Sequence, residues 1–126
     1  MHRSRTYAVI IDVPEAEAAG AAAFWAAALG ATAEPYPAAP QYTTLHRALP
    51  GLVTAVQAVD DAPRIHLDIE TDDVEAETAR LLALGAERVS RWQECQVLRA
   101  PGGHLMCVLP VETAPEEFRA RANVWP

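Results

Sequence analysis

The segment RIHLDIETDDVEAETARLLALGA, Arg64–Ala86, reads as a strand, a helix start, a helix and a stop in one run. In RIHLDIE, Ile65, Leu67 and Ile69 alternate with His66, Asp68 and Glu70, so the two sets point to opposite faces of an extended strand. Asp72, followed three residues on by Glu75, has the form of a capping box. Beyond it, DVEAETARLLALG sets Val74, Thr78, Leu81 and Leu84 along one helical face and stops at Gly85. AERVSRW, ECQVLRA and HLMCVLP then supply three strand candidates, the last two separated by the turn PGG. The order is one strand, one helix, three strands.

The same order stands upstream. YAVIIDVP is β-branched and apolar and ends at the turn-forming Pro14. EAEAAGAAAFWAAAL, Glu15–Leu29, is alanine-rich and helical in propensity, with Phe24 and Trp25 as bulky anchors and Gly30 at the position after the helix. ATAEPY, QYTTLHRA and GLVTAVQAV follow as three short strands split by prolines and Gly51. The string ALGA closes both helices, with Gly30 and Gly85 about 55 residues apart. Neither half could bury its sheet face alone. An α+β fold is therefore predicted: one domain, 1–126, of two tandem βαβββ modules at about 5–60 and 63–110, forming a curved eight-stranded mixed sheet with both helices outside. Its concave face would be open to a ligand. The polar tail 111–126, with Trp125 as anchor, is expected to lie over the body of the domain or a partner chain.

Composition narrows the functional classes. With 126 residues, 51% hydrophobic and 21% charged, the chain has the balance of a soluble globular domain. A net charge of −7, with 10 Lys+Arg spread thinly, gives no clustered positive face, so no nucleic-acid partner is expected. The most apolar stretch, Ala16–Ala31, is too short and too interrupted for a bilayer span. The N-terminal MHRSRTYAVIID lacks an apolar run before a cleavage site, so no secretion signal is expected. Cys95 and Cys107 form neither a disulfide framework nor a CxxC pair, and a reducing cytoplasmic setting is expected. His46 and His104 sit near turns and are expected to be exposed. No GxSxG, HExxH, P-loop or dinucleotide fingerprint occurs.

AAFWAAALGA, RIHLDIETDDVEAETARLLALGA and LRAPGGHLMCVL, together with the repeat, resemble the vicinal-oxygen-chelate superfamily and above all its small bacterial glyoxalase-like domain proteins. The resemblance runs from Tyr7 to Leu109 and implies the glyoxalase/bleomycin resistance fold. In metal-dependent members each half gives one ligand from its first strand and one from its last. Carried over, these positions fall on His66 and Cys107 in the second half, and on Ala8 (with Tyr7 beside it) and Ala55 or Gln57 in the first. One histidine, one amide and one thiol do not form a hard-cation site, so no metal or other cofactor is expected. Ala100 stands where these proteins often have an aspartate before the turn proline, a position that caps the turn.

His66 is thus open to three readings: a polar contact in a pocket, a structural histidine, or a metal ligand. Asp68 and Glu70 share its face, where they could pair with it or with substrate as acid–base partners, or reach solvent. Gln57 on an apolar strand needs partners if buried. Tyr42 and Trp92, near strand starts, could wall a cavity. The expected function is metal-independent binding of a small molecule by Gln57, His66, Asp68, Glu70, Cys107, Tyr42 and Trp92. The alternatives are a metal-dependent lyase, isomerase or dioxygenase anchored by His66, or metal-free acid–base catalysis by His66 and Asp68. A module without any ligand is the third class. The resemblance also implies a homodimer.

Overall fold

A computed structural model describes the whole chain, Met1–Pro126. The first repeat forms β1 (His2–Pro14), α1 (Ala18–Leu29), β2 (Thr32–Pro35), β3 (Tyr42–His46) and β4 (Val53–Val59). The second forms β5 (Arg64–Thr71), α2 (Val74–Ala83), β6 (Glu87–Trp92), β7 (Cys95–Arg99) and β8 (Leu105–Pro110). All eight expected strands and both helices are present in an α+β arrangement of βαβββ repeats. Hydrogen-bonded order is β2-β3-β4-β1 in one repeat and β5-β8-β7-β6 in the other. Two hairpin reversals return the last strand of each repeat to the direction of its second strand. The helical crossover gives the first strand that same direction, so β1–β4 and β5–β8 are parallel while the other pairs are antiparallel.

The chain divides into two compact units, Ala8–His66 and Met1–Tyr7 with Leu67–Pro126; both divisions fall inside strands, β1 and β5. In the Ala8–His66 unit, Ile11, Val13, Leu45 and Val56 pack on Ala22, with Ala18, Ala21, Trp25 and Ala26 completing the contact. Alanines let α1 lie close to the strands, and Trp25 supplies the volume. Phe24 is 62% exposed and is not a second anchor, because neighbours on a helix point about 100° apart and only one can face the sheet. Gly30, at φ 65°, ends α1, and the Ala31 amide donates to the Ala26 carbonyl at 2.8 Å, which satisfies an otherwise open helix end.

In the other unit, Leu81, Leu98 and Val108 form the core, with Ile69, Val74, Leu82 and Met106 around them. Leu84, placed by spacing on the same face, is exposed instead, since the helix is already ending there. The cap also differs from the sequence reading. Asp73, not Asp72, is the N-cap, and its carboxylate accepts from the Ala76 amide at 3.0 Å. Asp72 accepts from the Arg3 amide at 2.7 Å and so ties the chain to β1.

The tail adds two elements absent from the sequence reading, α3 (Pro115–Arg121) and β9 (Asn123–Trp125). Strand β9 pairs antiparallel with His2–Ser4, which is why β1 begins at His2 rather than near Tyr7. Trp125 anchors the tail as its apolar ring suggested. Its indole Nε1 donates to Ser4 Oγ at 2.8 Å, and the Arg80 guanidinium lies 3.8 Å from its ring centre. Beneath this contact Glu77, fully buried, accepts from His2 Nε2 at 2.9 Å and from Arg80.

Candidate functional site

Strand β5 reverses the usual division of an amphipathic strand. On its polar face His66 is 9% exposed and Glu70 is fully buried, whereas on its apolar face Ile65 is 55% and Leu67 47% exposed. Helix α2 starts at Val74 and covers only the later part of the strand, where Ile69 joins the core. Polar groups held on the more buried face need partners or a ligand to offset their desolvation.

Along this face the side chains part into distinct arrangements. Asp68 stands opposite Cys107 in the parallel β5–β8 register. His66, Asp68 and Cys107 each bring a ligating atom to within 4.8 Å of the other two. Glu70 is engaged elsewhere: Thr113 donates to its carboxylate from Oγ1 at 2.6 Å and from its amide at 3.3 Å, so this residue fastens the start of the tail. Arg5 in turn donates to Thr113 Oγ1 at 3.3 Å. Trp92 is more than half exposed at the end of β6, a strand whose residues are all exposed. His46 and His104 are exposed, as their turn positions suggested.

Within the Ala8–His66 unit a polar row crosses the face opposite α1. Tyr42, Gln57 and Asp12 are register partners on β3, β4 and β1. Gln57 donates from Nε2 to the Tyr42 hydroxyl at 3.1 Å. Asp12 Oδ1 lies 3.4 Å from His66 Nε2, both side chains being about nine-tenths buried. That distance is ion-pair range without hydrogen-bond alignment, and Asp12 Oδ1 has no hydrogen-bond partner. Asp12 is the residue the sequence reading missed. The signal was available: it is the one carboxylate in YAVIIDVP, on the face of Ala8 and Ile10 and opposite Ile11 and Val13.

Neither Cys95 nor Cys107 is in a disulfide, and both are half-buried. Burial pushes the Cys95 thiol above its ordinary pKa, and the nearby Cys107, Asp68, Glu112 and Glu94 push it the same way. A protonated Cys95 is a poor nucleophile and a poor ligand at neutral pH.

For a metal ion the donor set decides the fit. Ala8, on the first-strand position carried over from metal-dependent relatives, is fully buried and offers no donor. Imidazole, carboxylate and thiolate at His66, Asp68 and Cys107 do not make the oxygen-rich shell of a hard cation. They are the donor types of a borderline ion such as Zn²⁺.

Comparison with known proteins agrees with this architecture. The glyoxalase-like domain family model matches residues 8–109. A search of curated proteins finds no match. Among solved structures, methylmalonyl-CoA epimerase from Mycobacterium tuberculosis is similar in fold, with TM-score 0.56 and 19% identity over 88% of this chain and 89% of that one. A hypothetical protein from Bacillus halodurans C-125 is similar at TM-score 0.56 and 14% identity, over 88% of this chain and 96% of that one. At such identities the likeness is one of fold alone, whereas the family match spans both repeats, and the chain belongs to the glyoxalase-like domain family of the vicinal-oxygen-chelate superfamily.

Proposed function

We propose that this protein binds a small molecule through the polar face of β5, without a resident metal ion. The supporting observation is the convergence of His66 and Asp68 of β5 with Cys107 of β8, whose ligating atoms lie within 4.8 Å of one another, where β5 buries its polar side chains more than its apolar ones. Imidazole, carboxylate and thiol together offer donors and acceptors that fix a ligand's orientation while apolar neighbours supply contact area. Within the Ala8–His66 unit, Gln57 and Tyr42 pair with each other on the face that carries Asp12. Glu70, held by Thr113, supports the wall rather than the ligand. The working form is a homodimer in a reducing cytoplasmic setting. Supporting this are the large apolar side chains left in solvent, Phe24, Ile65, Leu67 and Trp92 among them, and two cysteines that form no disulfide. No helix is long and apolar enough to cross a membrane.

The same three donors favour a second reading, a borderline metal ion held by His66, Asp68 and Cys107. When bound, such an ion would act as a Lewis acid toward a substrate oxygen. One experiment separates the two. Protein purified without chelators is assayed for metal, and thermal shifts are recorded with Zn²⁺, Ni²⁺, Mn²⁺ and Fe²⁺ alongside a chemically diverse ligand library. Small-molecule stabilisation that is lost in His66→Ala, with no stoichiometric metal, is the expected result. Stoichiometric metal, or a metal-induced shift that His66→Ala abolishes, establishes the second reading. No response to any compound or ion overturns both.

A further inference from the structure

The geometry points to a second kind of site: Cys95 and Cys107, set diagonally on one face of β7 and β8, form a two-sulfur chelate for a divalent soft metal ion. Both cysteines lie in the unit of Met1–Tyr7 and Leu67–Pro126, and the pair needs neither His66 nor the small molecule proposed above. Val97 stands directly opposite Cys107 in the antiparallel β7–β8 register, and Cys95 lies two residues before Val97. Side chains two apart on a strand share a face. Burial follows that alternation. Gln96 and Leu98 are buried, and Leu98 packs with Val108 on Leu81 of α2, while Cys95 and Val97 are half-buried. The two thiols therefore share the sheet face away from α2, with Asp68 opposite Cys107 in the β5–β8 register.

Spacing decides what can bridge them. Diagonal neighbours across an antiparallel pair stand about 7–8 Å apart at the backbone, beyond the reach of a disulfide unless the strands move. A sulfur–metal–sulfur bridge is longer: with bonds of about 2.3 Å, as in zinc thiolates, collinear sulfurs lie about 4.6 Å apart. Charge decides which ion. Binding exchanges two S–H protons for one ion, and both protons leave to solvent. A divalent ion leaves the pair neutral. A monovalent one leaves a net negative charge among Asp68, Glu94 and Glu112, the acidic groups close enough to Cys95 to raise its pKa. A thiol is a weak hydrogen-bonding group, so the interaction that Cys107 already has yields to a sulfur–metal bond. Zn²⁺ takes four donors and would call on Asp68 and His66 as well, whereas a linear ion needs the sulfurs alone. The ligand class is a divalent ion that takes two collinear thiolates, and mercuric ion is the probe.

The full chain, titrated with mercuric chloride and then alkylated with iodoacetamide, tests this. One equivalent of Hg²⁺ is expected to protect both cysteines together, with an intact mass of one chain plus one mercury less two hydrogens. A need for two equivalents, or one ion joining two chains, overturns the inference. Release by 2-mercaptoethanol then measures the chelate. The concentration that frees half of the ion is expected to be at least about tenfold higher for wild type than for Cys95→Ser or Cys107→Ser, each with a native backbone amide spectrum. Equal release from wild type and Cys95→Ser overturns the inference. So does tight binding that survives Cys95→Ser but is lost in His66→Ala, which assigns the ion to His66, Asp68 and Cys107 instead. The protection stoichiometry is read on wild type and holds even where a serine variant does not fold. Neither measurement uses the small-molecule library, so failure here leaves the ligand reading standing, and an inert library leaves the chelate standing.

Discussion

At the start of α2 two neighbouring aspartates, Asp72 and Asp73, hold different backbone amides, those of Arg3 and Ala76. Asp72 and Glu75 have capping-box spacing, yet Asp73 has the extended backbone of an N-cap and accepts from Ala76, while Asp72 is drawn to Arg3 from the far end of the chain. Two neighbouring aspartates look alike until the partner of each is known. Asp73→Ala is expected to cost about 1 kcal/mol in urea denaturation, in line with the loss of a helix cap. Asp72→Ala loses instead the tie to Arg3, and its cost appears as faster hydrogen exchange at the Arg3 amide. Because burial and surrounding acidic groups raise the Cys95 pKa, its alkylation by iodoacetamide should still be accelerating above about pH 9.5, about one unit past the ordinary thiol pKa, where an unshifted thiol is largely ionised and levelling off. Mass spectrometry of the peptides resolves Cys95 from Cys107.

Between elements, local pattern and distant partners divide the work. Alternation in β5 and the glycine stops of α1 and α2 depend on a few adjacent residues, so they were legible in the sequence. Strand β9 and the first residues of β1 were not, because neither is a convincing strand until the other is beside it. Their junction is held by Glu77, which burial would push toward higher pKa. Hydrogen bonds from Arg80, Ser4 and His2 outweigh burial and leave the carboxyl below its ordinary range. A depressed carboxyl stabilises the fold fully above its unfolded pKa of about 4.3 and loses that contribution as pH falls through the lower folded value. Glu77→Gln should therefore cost about 2 kcal/mol at pH 7, and the gap to wild type should close in acid. Urea titrations at pH 7 and pH 3 measure both. Trp125→Ala removes the ring over Arg80 and the bond to Ser4, and should free the tail without unfolding α2; protease cleavage confined to residues after Ala114 is the expected sign.

For the molecule as a whole, each unit has its own core, and a cut into either should be felt. Leu98→Ala and Leu45→Ala, at fully or almost fully buried positions, are each expected to cost about 2–5 kcal/mol in chemical denaturation. The proposed homodimer predicts a mass of twice the chain by light scattering, and a monomer at micromolar concentration contradicts it. The candidate site was half legible. His66, Asp68 and Cys107 were named from alternation in β5 and from the family pattern, and the structure brings their donor atoms together. Glu70 and Trp92 bore the same outward marks, yet one is bound to Thr113 and the other faces solvent.

The sequence by itself determined the repeat, the order of elements and the side of β5 on which His66 lies. Those follow from local periodicity, propensity and the duplicated ALGA stop, which need no distant partner. Only the tertiary structure decided which polar groups answer one another: Asp12 with His66, Glu70 with Thr113, Glu77 with His2 and Arg80. Each of these pairs except Glu77–Arg80 joins residues far apart in the chain. Hydrogen bonding and desolvation are settled by positions in space, and sequence spacing carries no record of them.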